Sequence, residues 1–74
     1  MKQVSEAIKA YDKAIEINSQ NSIAWNNKGL TLSSLGKYNE AIKAYDKAIE
    51  INPQDSAAWY NKAVTLNRLN KSNL

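Results

Sequence analysis

A twelve-residue block occurs twice in this chain without change. The segment AIKAYDKAIEIN occupies residues 7–18 and again residues 41–52, which is an offset of 34. The offset continues beyond the block, because Trp25 corresponds to Trp59 and Leu32 corresponds to Leu66. A fixed period of roughly 20–50 residues is typical of stacked-repeat proteins, and a period in this range accommodates one helix–turn–helix unit. The sequence therefore predicts stacked helical hairpins, an architecture that presents surfaces to partners.

The composition excludes several kinds of catalytic and metal site. The chain contains neither histidine nor cysteine, so the commonest general base, thiolate metal ligands and disulfides are all absent. The two glycines do not form a phosphate-binding loop. The carboxylates alternate with lysines along the predicted helices, where pairs of opposite charge are usually solvated. We therefore expect a protein that is not an enzyme and that has no cofactor and no metal site.

Length, charge and hydropathy limit the number of domains and the kinds of partner that this chain can have. The 74 residues form one small predicted domain, near the lower size limit for a self-sufficient core. The net charge of +3 is mild and no run of like charge occurs, so we expect no nucleic-acid partner. The start MKQVSE is polar and no apolar run approaches about 18 residues, so neither a signal peptide nor a membrane partner is expected. The predicted compartment is the cytoplasm.

Helical periodicity is clearest in the second copy of the repeated block. Apolar residues there recur three and four positions apart, as in an amphipathic helix, at Ala41, Ile42, Tyr45, Ala48 and Ile49. We predict a helix over Asn39–Ile51, which ends at Asn52 because Pro53 disfavours helical geometry in the residue before it. The first copy of the block predicts an equivalent helix over Val4–Ile17.

The two remaining segments predict helices over Ser22–Leu35 and Ser56–Leu69. Each begins at a serine, a residue type that can cap a helix N-terminus. Gly36 follows the first of them and can adopt the positive φ of a helix C-terminus. Connections of a few residues make neighbouring helices antiparallel. The predicted fold class is therefore all-α, with four helices arranged as antiparallel helix-turn-helix repeats.

Small, aromatic and aliphatic residues recur along the chain at fixed spacing. One complete set lies in residues 22–55, at Trp25, Gly29, Leu32, Gly36, Tyr38, Ala41, Tyr45, Ala48 and Pro53. Matching half-sets lie on either side, at Ala7, Tyr11 and Ala14 and at Trp59, Ala63 and Leu66. This pattern resembles the tetratricopeptide repeat family over essentially the whole chain.

The resemblance implies a right-handed superhelical solenoid. In this family the first helix of each unit (A) lines a concave groove, and the second helix (B) forms the convex back. The predicted helices then follow the order B-A-B-A, with partial units over residues 4–17 and 56–69 around a complete unit over residues 22–55. Trp25 and Trp59 fall at the family's packing position and are predicted to be core residues.

Two lysines depart from the family pattern. Lys28 and Lys62 stand where the family often has an apolar residue. We expect each lysine to bury its aliphatic stem and to send its ammonium group out to water.

Peptide recognition is the activity that the resemblance implies for the concave groove. Asparagine amides both donate to and accept from a peptide backbone, and an exposed tyrosine can serve as an anchor. The A helices contain basic residues and no acidic one, which favours an acidic peptide or protein partner. An alternative left open is that the asparagines are ordinary solvated positions. The candidate peptide-binding residues are Asn26, Asn27, Tyr60, Asn61, Asn67 and Arg68.

The order of the helices favours self-association. Repeat arrays usually finish with a helix whose outer face is polar, but the last predicted helix keeps the interior apolar pattern. The first predicted helix repeats the interior B helix, so the two ends are complementary and a homo-oligomer is expected. The candidate residues for contacts between copies of the chain are Ile8, Tyr11, Ile15, Trp59, Ala63, Leu66 and Leu69.

Two arrangements of copies are open at the level of sequence. A head-to-tail contact is heterologous and must close into a ring or continue as a filament, whereas two exposed A helices could instead pair as a two-fold dimer. The sequence thus predicts a non-catalytic interaction and scaffold module that self-associates. Peptide binding in the concave groove is the alternative function.

Overall fold

The computed structural model describes residues 2–72, which form four α-helices joined by short connections. The helices are α1 (Lys2–Ile17), α2 (Ser22–Ser34), α3 (Tyr38–Ile51) and α4 (Ser56–Ser72). Each helix packs on the next in chain order, and α2 also touches α4. The predicted all-α helical repeat fold is confirmed, and each predicted helix is present.

The helix starts differ from prediction in which residue provides the cap. The side chain of Asn21 accepts a hydrogen bond from the Ala24 amide at 3.1 Å. The Asp55 carboxylate accepts from the amides of Ala57 and Ala58 at 3.1 Å and 3.3 Å. The predicted serine caps are therefore wrong by one residue, because α2 and α4 already include those serines as their first helical residues.

Helix α2 ends just before a glycine that has a positive φ. Gly36 has φ of +79°, and the amide of Lys37 donates to the Leu32 carbonyl at 3.0 Å, which is the long bond of a Schellman motif. The predicted role of Gly36 is confirmed. Asn70 occupies the corresponding position of α4, and there the helix continues to Ser72, past the predicted end at Leu69.

The core lies where α2 meets α3. Its centre is the ring of Tyr45, which is 1% exposed and packs with Leu32, Ala41 and Ala44. A Cβ added to Gly29 would lie 2.5 Å from Cε1 of this ring, closer than real contacts allow. The missing side chain of Gly29 therefore lets α2 and α3 approach closely enough to enclose a tyrosine.

Helix α4 covers Tyr45 from the other side. Burial raises the pKa of the Tyr45 hydroxyl, while the neighbouring Thr65 hydroxyl and the positive charge of Arg68 act in the opposite direction. Thr65 is itself buried and donates to the Ser33 hydroxyl at 3.3 Å. Because the folded state holds the phenolic proton more tightly, this residue contributes stability that falls as the pH rises above about 10, the usual pKa of tyrosine.

Replacing Gly29 by alanine should destabilise the fold. Alanine favours a helix over glycine by about 1 kcal/mol, but an added methyl group in a close-packed contact costs about 1–3 kcal/mol. We expect a net loss in the free energy of unfolding, measured by urea denaturation followed by circular dichroism. A Gly29→Ala variant that is more stable than the parent would contradict this account of the core.

Candidate functional site

Ion pairs join each B helix to the A helix that follows it. The ammonium group of Lys28 in α2 lies 2.5 Å from a carboxylate oxygen of Asp12 in α1, and Lys62 in α4 lies 2.6 Å from Asp46 in α3. The lysine stems are partly buried as expected, but the expectation that the ammonium groups extend to water is wrong, because each pairs with an aspartate. The preceding helix places a carboxylate within reach, and the charge is neutralised beside a partly buried lysine stem.

Trp25 and Trp59 contribute to the same contacts between a B helix and the A helix that follows it. Nε1 of Trp25 donates to the Ser19 carbonyl and Nε1 of Trp59 donates to the Pro53 carbonyl, each at 3.0 Å. The lysine one turn later places its ammonium group 5.7 Å from the first ring centroid and 5.8 Å from the second, within range of a cation–π contact. The α1–α2 interface and the α3–α4 interface therefore share the same ion pair, hydrogen bond and cation–π contact.

One face of α4 is open. Leu32 in α2 is 7% exposed because α3 covers it, whereas its counterpart Leu66 in α4 is 39% exposed. Trp59 is 51% exposed, so the prediction that it is a core residue is wrong for this chain, although Trp25 is partly buried against the core. The reason is that no described helix covers α4 in the way that α3 covers α2. Ala63 is also exposed, and Leu69 is half-buried.

One face of α1 is open as well. Tyr11 is half-exposed and Ala10 is exposed, whereas their counterparts Tyr45 and Ala44 are buried. The residues are identical in the two helices, so the difference arises only from what covers them. In α3 this face packs on α2, and in α1 no described helix packs on it.

One of the predicted contact residues, Ile8, has a different environment from the one that the prediction requires. Ile8 is partly buried and packs against the chain's own core cluster. Ile15 is half-buried and lies two helical turns further on, on the same side of α1. That side also carries Asp12, which pairs with α2. The open face of α1 is instead centred on Ala10 and Tyr11.

A shallow depression of about 280 Å³ lies between α2 and α4. Three of the predicted peptide-binding residues line it, namely Tyr60, Asn61 and Arg68. Tyr60 is 69% exposed, as predicted for an anchor. The apolar part of the lining includes Leu30 and Val64.

The remaining candidate asparagines have different surroundings. Nδ2 of Asn61 donates to Oδ1 of Asn26 at 3.2 Å, so these two predicted clamps are already paired with each other across the A helices. Asn27 is half-buried and its backbone carbonyl accepts from the Thr31 hydroxyl. Asn67 is exposed, and neither Asn27 nor Asn67 lines the depression.

Sequence reasoning missed the partners of the two lysines. Asp12 and Asp46 were expected to lie on a solvated face, yet each accepts the ion pair that joins two repeats. A usable signal was present, because the separation between aspartate and lysine is the same in both copies of the repeat. Ala10 was missed because a lone alanine carries no hydrophobic signal of its own.

Over residues 2–72, no helix has the length and hydropathy needed to cross a membrane. The same residues contain no group of three or more histidine, cysteine or carboxylate side chains that could hold a metal ion.

Family models match the chain from end to end. A tetratricopeptide repeat model matches residues 22–55, a second tetratricopeptide repeat model matches residues 44–74, and a TPR repeat model matches residues 1–36. No curated protein matches the chain. Repeats of this kind generally mediate protein–protein interactions and are generally not catalytic. The chain therefore belongs to the tetratricopeptide repeat family, and its two-helix units form a protein–protein interaction module.

Proposed function

We propose that this protein self-associates head to tail, with the open face of α4 in one copy packing on the open face of α1 in the next. The observation that supports this proposal is the identity of residues 7–18 and 41–52. Within one chain the second of these blocks covers α2. The first block carries the same residues on α1 and leaves the corresponding face uncovered.

The surface that α1 would cover matches the surface of α2. Trp25, Leu32 and Leu35 of the first A helix recur as Trp59, Leu66 and Leu69 of the second. Burying the exposed parts of these side chains contributes roughly 25 cal/mol for each Å² of apolar surface removed from water. The contact between α4 and a second α1 would therefore bury apolar side chains of the same kind as the contact between α2 and α3.

The arrangement of the two open faces determines the kind of assembly. They lie on different helices, so a head-to-tail contact uses both faces of each copy and is heterologous. Such contacts extend into a filament or close into a ring. A two-fold dimer would use the α4 face twice and would leave the α1 face uncovered.

Charge at either face should block association. Ala10 and Ala63 are both exposed, and their counterparts Ala44 and Gly29 are buried between α2 and α3. Ala10→Glu and Ala63→Glu should each raise the dissociation constant by about 100-fold or more, because an unpaired charge would be buried. Sedimentation equilibrium measures this change, and circular dichroism checks that each variant remains helical.

Matched controls are available in the same helices. Ala57→Glu makes the same substitution at an exposed position of α4 whose counterpart, Ile23, is exposed too. Lys9→Gln makes the same change in charge on α1, where the counterpart Lys43 is exposed. Both controls should associate like the parent chain. If Ala10→Glu also associates normally while Ala63→Glu does not, the head-to-tail arrangement is wrong and the two-fold dimer is supported.

Salt should not weaken the association. Within residues 2–72 the ion pairs join α1 to α2 and α3 to α4, or lie within one helix, and none joins α2 to α3. The proposed contact repeats the α2–α3 packing and therefore relies on apolar burial, and the chain's net charge of +3 makes copies repel one another mildly at low salt. We expect the dissociation constant at high salt to be no higher than at low salt. A large rise would point to an electrostatic interface.

We also propose a second function, weak binding of an acidic extended peptide in the depression between α2 and α4. The observation that favours it is that Tyr60, Asn61 and Arg68 line this depression together. The guanidinium group of Arg68 suits a carboxylate, and the Tyr60 ring offers an exposed apolar contact.

The peptide proposal predicts a specific loss of binding. Tyr60→Ala and Asn61→Ala should each abolish binding of an acidic peptide that the parent chain holds with about micromolar affinity, typical of a small contact area. Asn67→Ala is the control, because Asn67 lies on α4 outside the depression. Fluorescence anisotropy across an acidic peptide library measures this, and binding that survives the Tyr60 and Asn61 substitutions would exclude the site.

A further inference from the structure

We propose that Ala63 weakens the contact between copies relative to the corresponding α2–α3 contact inside each chain, and thereby keeps assembly reversible. This inference rests on the proposed head-to-tail association. It concerns a packing position at which α4 carries a larger side chain than α2, where Gly29 of the first A helix is replaced by Ala63 of the second.

The space at Gly29 is fully used within the chain. A Cβ placed there would lie 2.5 Å from Cε1, 2.7 Å from Cδ1 and 3.0 Å from Cζ of Tyr45. All three distances are at or below the limit at which one partner has to move. The Tyr45 ring fits against α2 at this position only because residue 29 has no side chain.

Tyr45 has no room to move away from an added methyl group. Its side chain is 1% exposed, and Thr65 of α4 lies beside its hydroxyl. Thr31 follows Tyr11 at the same separation in the sequence as Thr65 follows Tyr45, and α2 packs on α1 as α4 packs on α3. We therefore expect α2 to lie behind a tyrosine that enters from α1 of a second copy and to limit its movement away from α4.

Ala63 presents to that second tyrosine the methyl group that Gly29 lacks. If α1 of the next copy packed on α4 as α3 packs on α2, the Ala63 Cβ would meet the ring of Tyr11 at the distance found for a Cβ at position 29. The two helices must then lie further apart than α2 and α3, and they lose close-packed contacts along their length. The chain thus combines a tight internal contact with a looser external one of the same design.

Substitutions of increasing size at position 63 test this inference. Ala63→Gly should lower the dissociation constant roughly tenfold, the usual effect of relieving an overpacked methyl group, and Ala63→Val should raise it by a similar factor. A face that is merely apolar would give the opposite order, because valine buries more apolar surface than glycine. Sedimentation equilibrium on the full chain supplies the dissociation constants.

Matching substitutions at position 57 separate packing from helix propensity. Ala57→Gly and Ala57→Val alter the same helix at a position whose counterpart is exposed, so they should leave association within about twofold of the parent. Thermal unfolding at low concentration checks that every variant remains folded. The inference predicts that the dissociation constant of Ala63→Gly is roughly tenfold lower than that of Ala57→Gly.

The possible outcomes distinguish this inference from the proposed function. If Ala10→Glu and Ala63→Glu block assembly while Ala63→Gly associates no more tightly than Ala57→Gly, the role of Ala63 is overturned and head-to-tail association stands. If the parent chain is monomeric and Ala63→Gly assembles, the role of Ala63 is supported and the proposed function fails for the parent sequence. If neither assembles, both are overturned.

Discussion

The close approach of α2 and α3 at Gly29 and Tyr45 is the contact on which the rest of this small structure depends. Tyr45 is one of the two largest fully buried side chains among the described residues, in a chain of 74 residues that lies near the lower size limit for a self-sufficient core. Its hydroxyl lies beside the Thr65 side chain, so Tyr45 also links the complete hairpin to α4. The absence of a side chain at residue 29 makes room for the Tyr45 ring.

The repeated block connects this core to function. In α3 it covers α2, and in α1 the same residues are held by the ion pair to Lys28 while one face stays uncovered. The sequence thus specifies two kinds of contact between neighbouring helices. One is a charged and aromatic contact that occurs twice within the chain, and the other is an apolar contact that forms once within the chain and that the proposed assembly would repeat between copies. The proposed self-association follows from that second use.

The repeat period, the amphipathic stripe of α1 and α3 and the residues at helix boundaries were enough to predict four helices, and the family resemblance assigned them as B-A-B-A. The caps were misplaced by one residue, since Asn21 and Asp55 compete with adjacent serines and sequence alone does not say which side chain reaches the free amides. Trp59 was predicted both as a core residue and as a contact residue of the uncovered last helix, because a family packing position does not reveal whether a covering helix is present. Which side of α1 is open depends on tertiary packing, so Ile8 was favoured where Ala10 is the better probe.

Mixing two singly blocked variants tests the central claim most directly. Ala10→Glu keeps an intact α4 face and Ala63→Glu keeps an intact α1 face, so each variant alone should be monomeric. An equimolar mixture should form a complex of one copy of each, with twice the 8.3 kDa mass of the chain, and should not grow further because both outer faces are blocked. Sedimentation equilibrium that shows this two-chain complex supports head-to-tail association. A mixture that behaves as the average of its two components would contradict it.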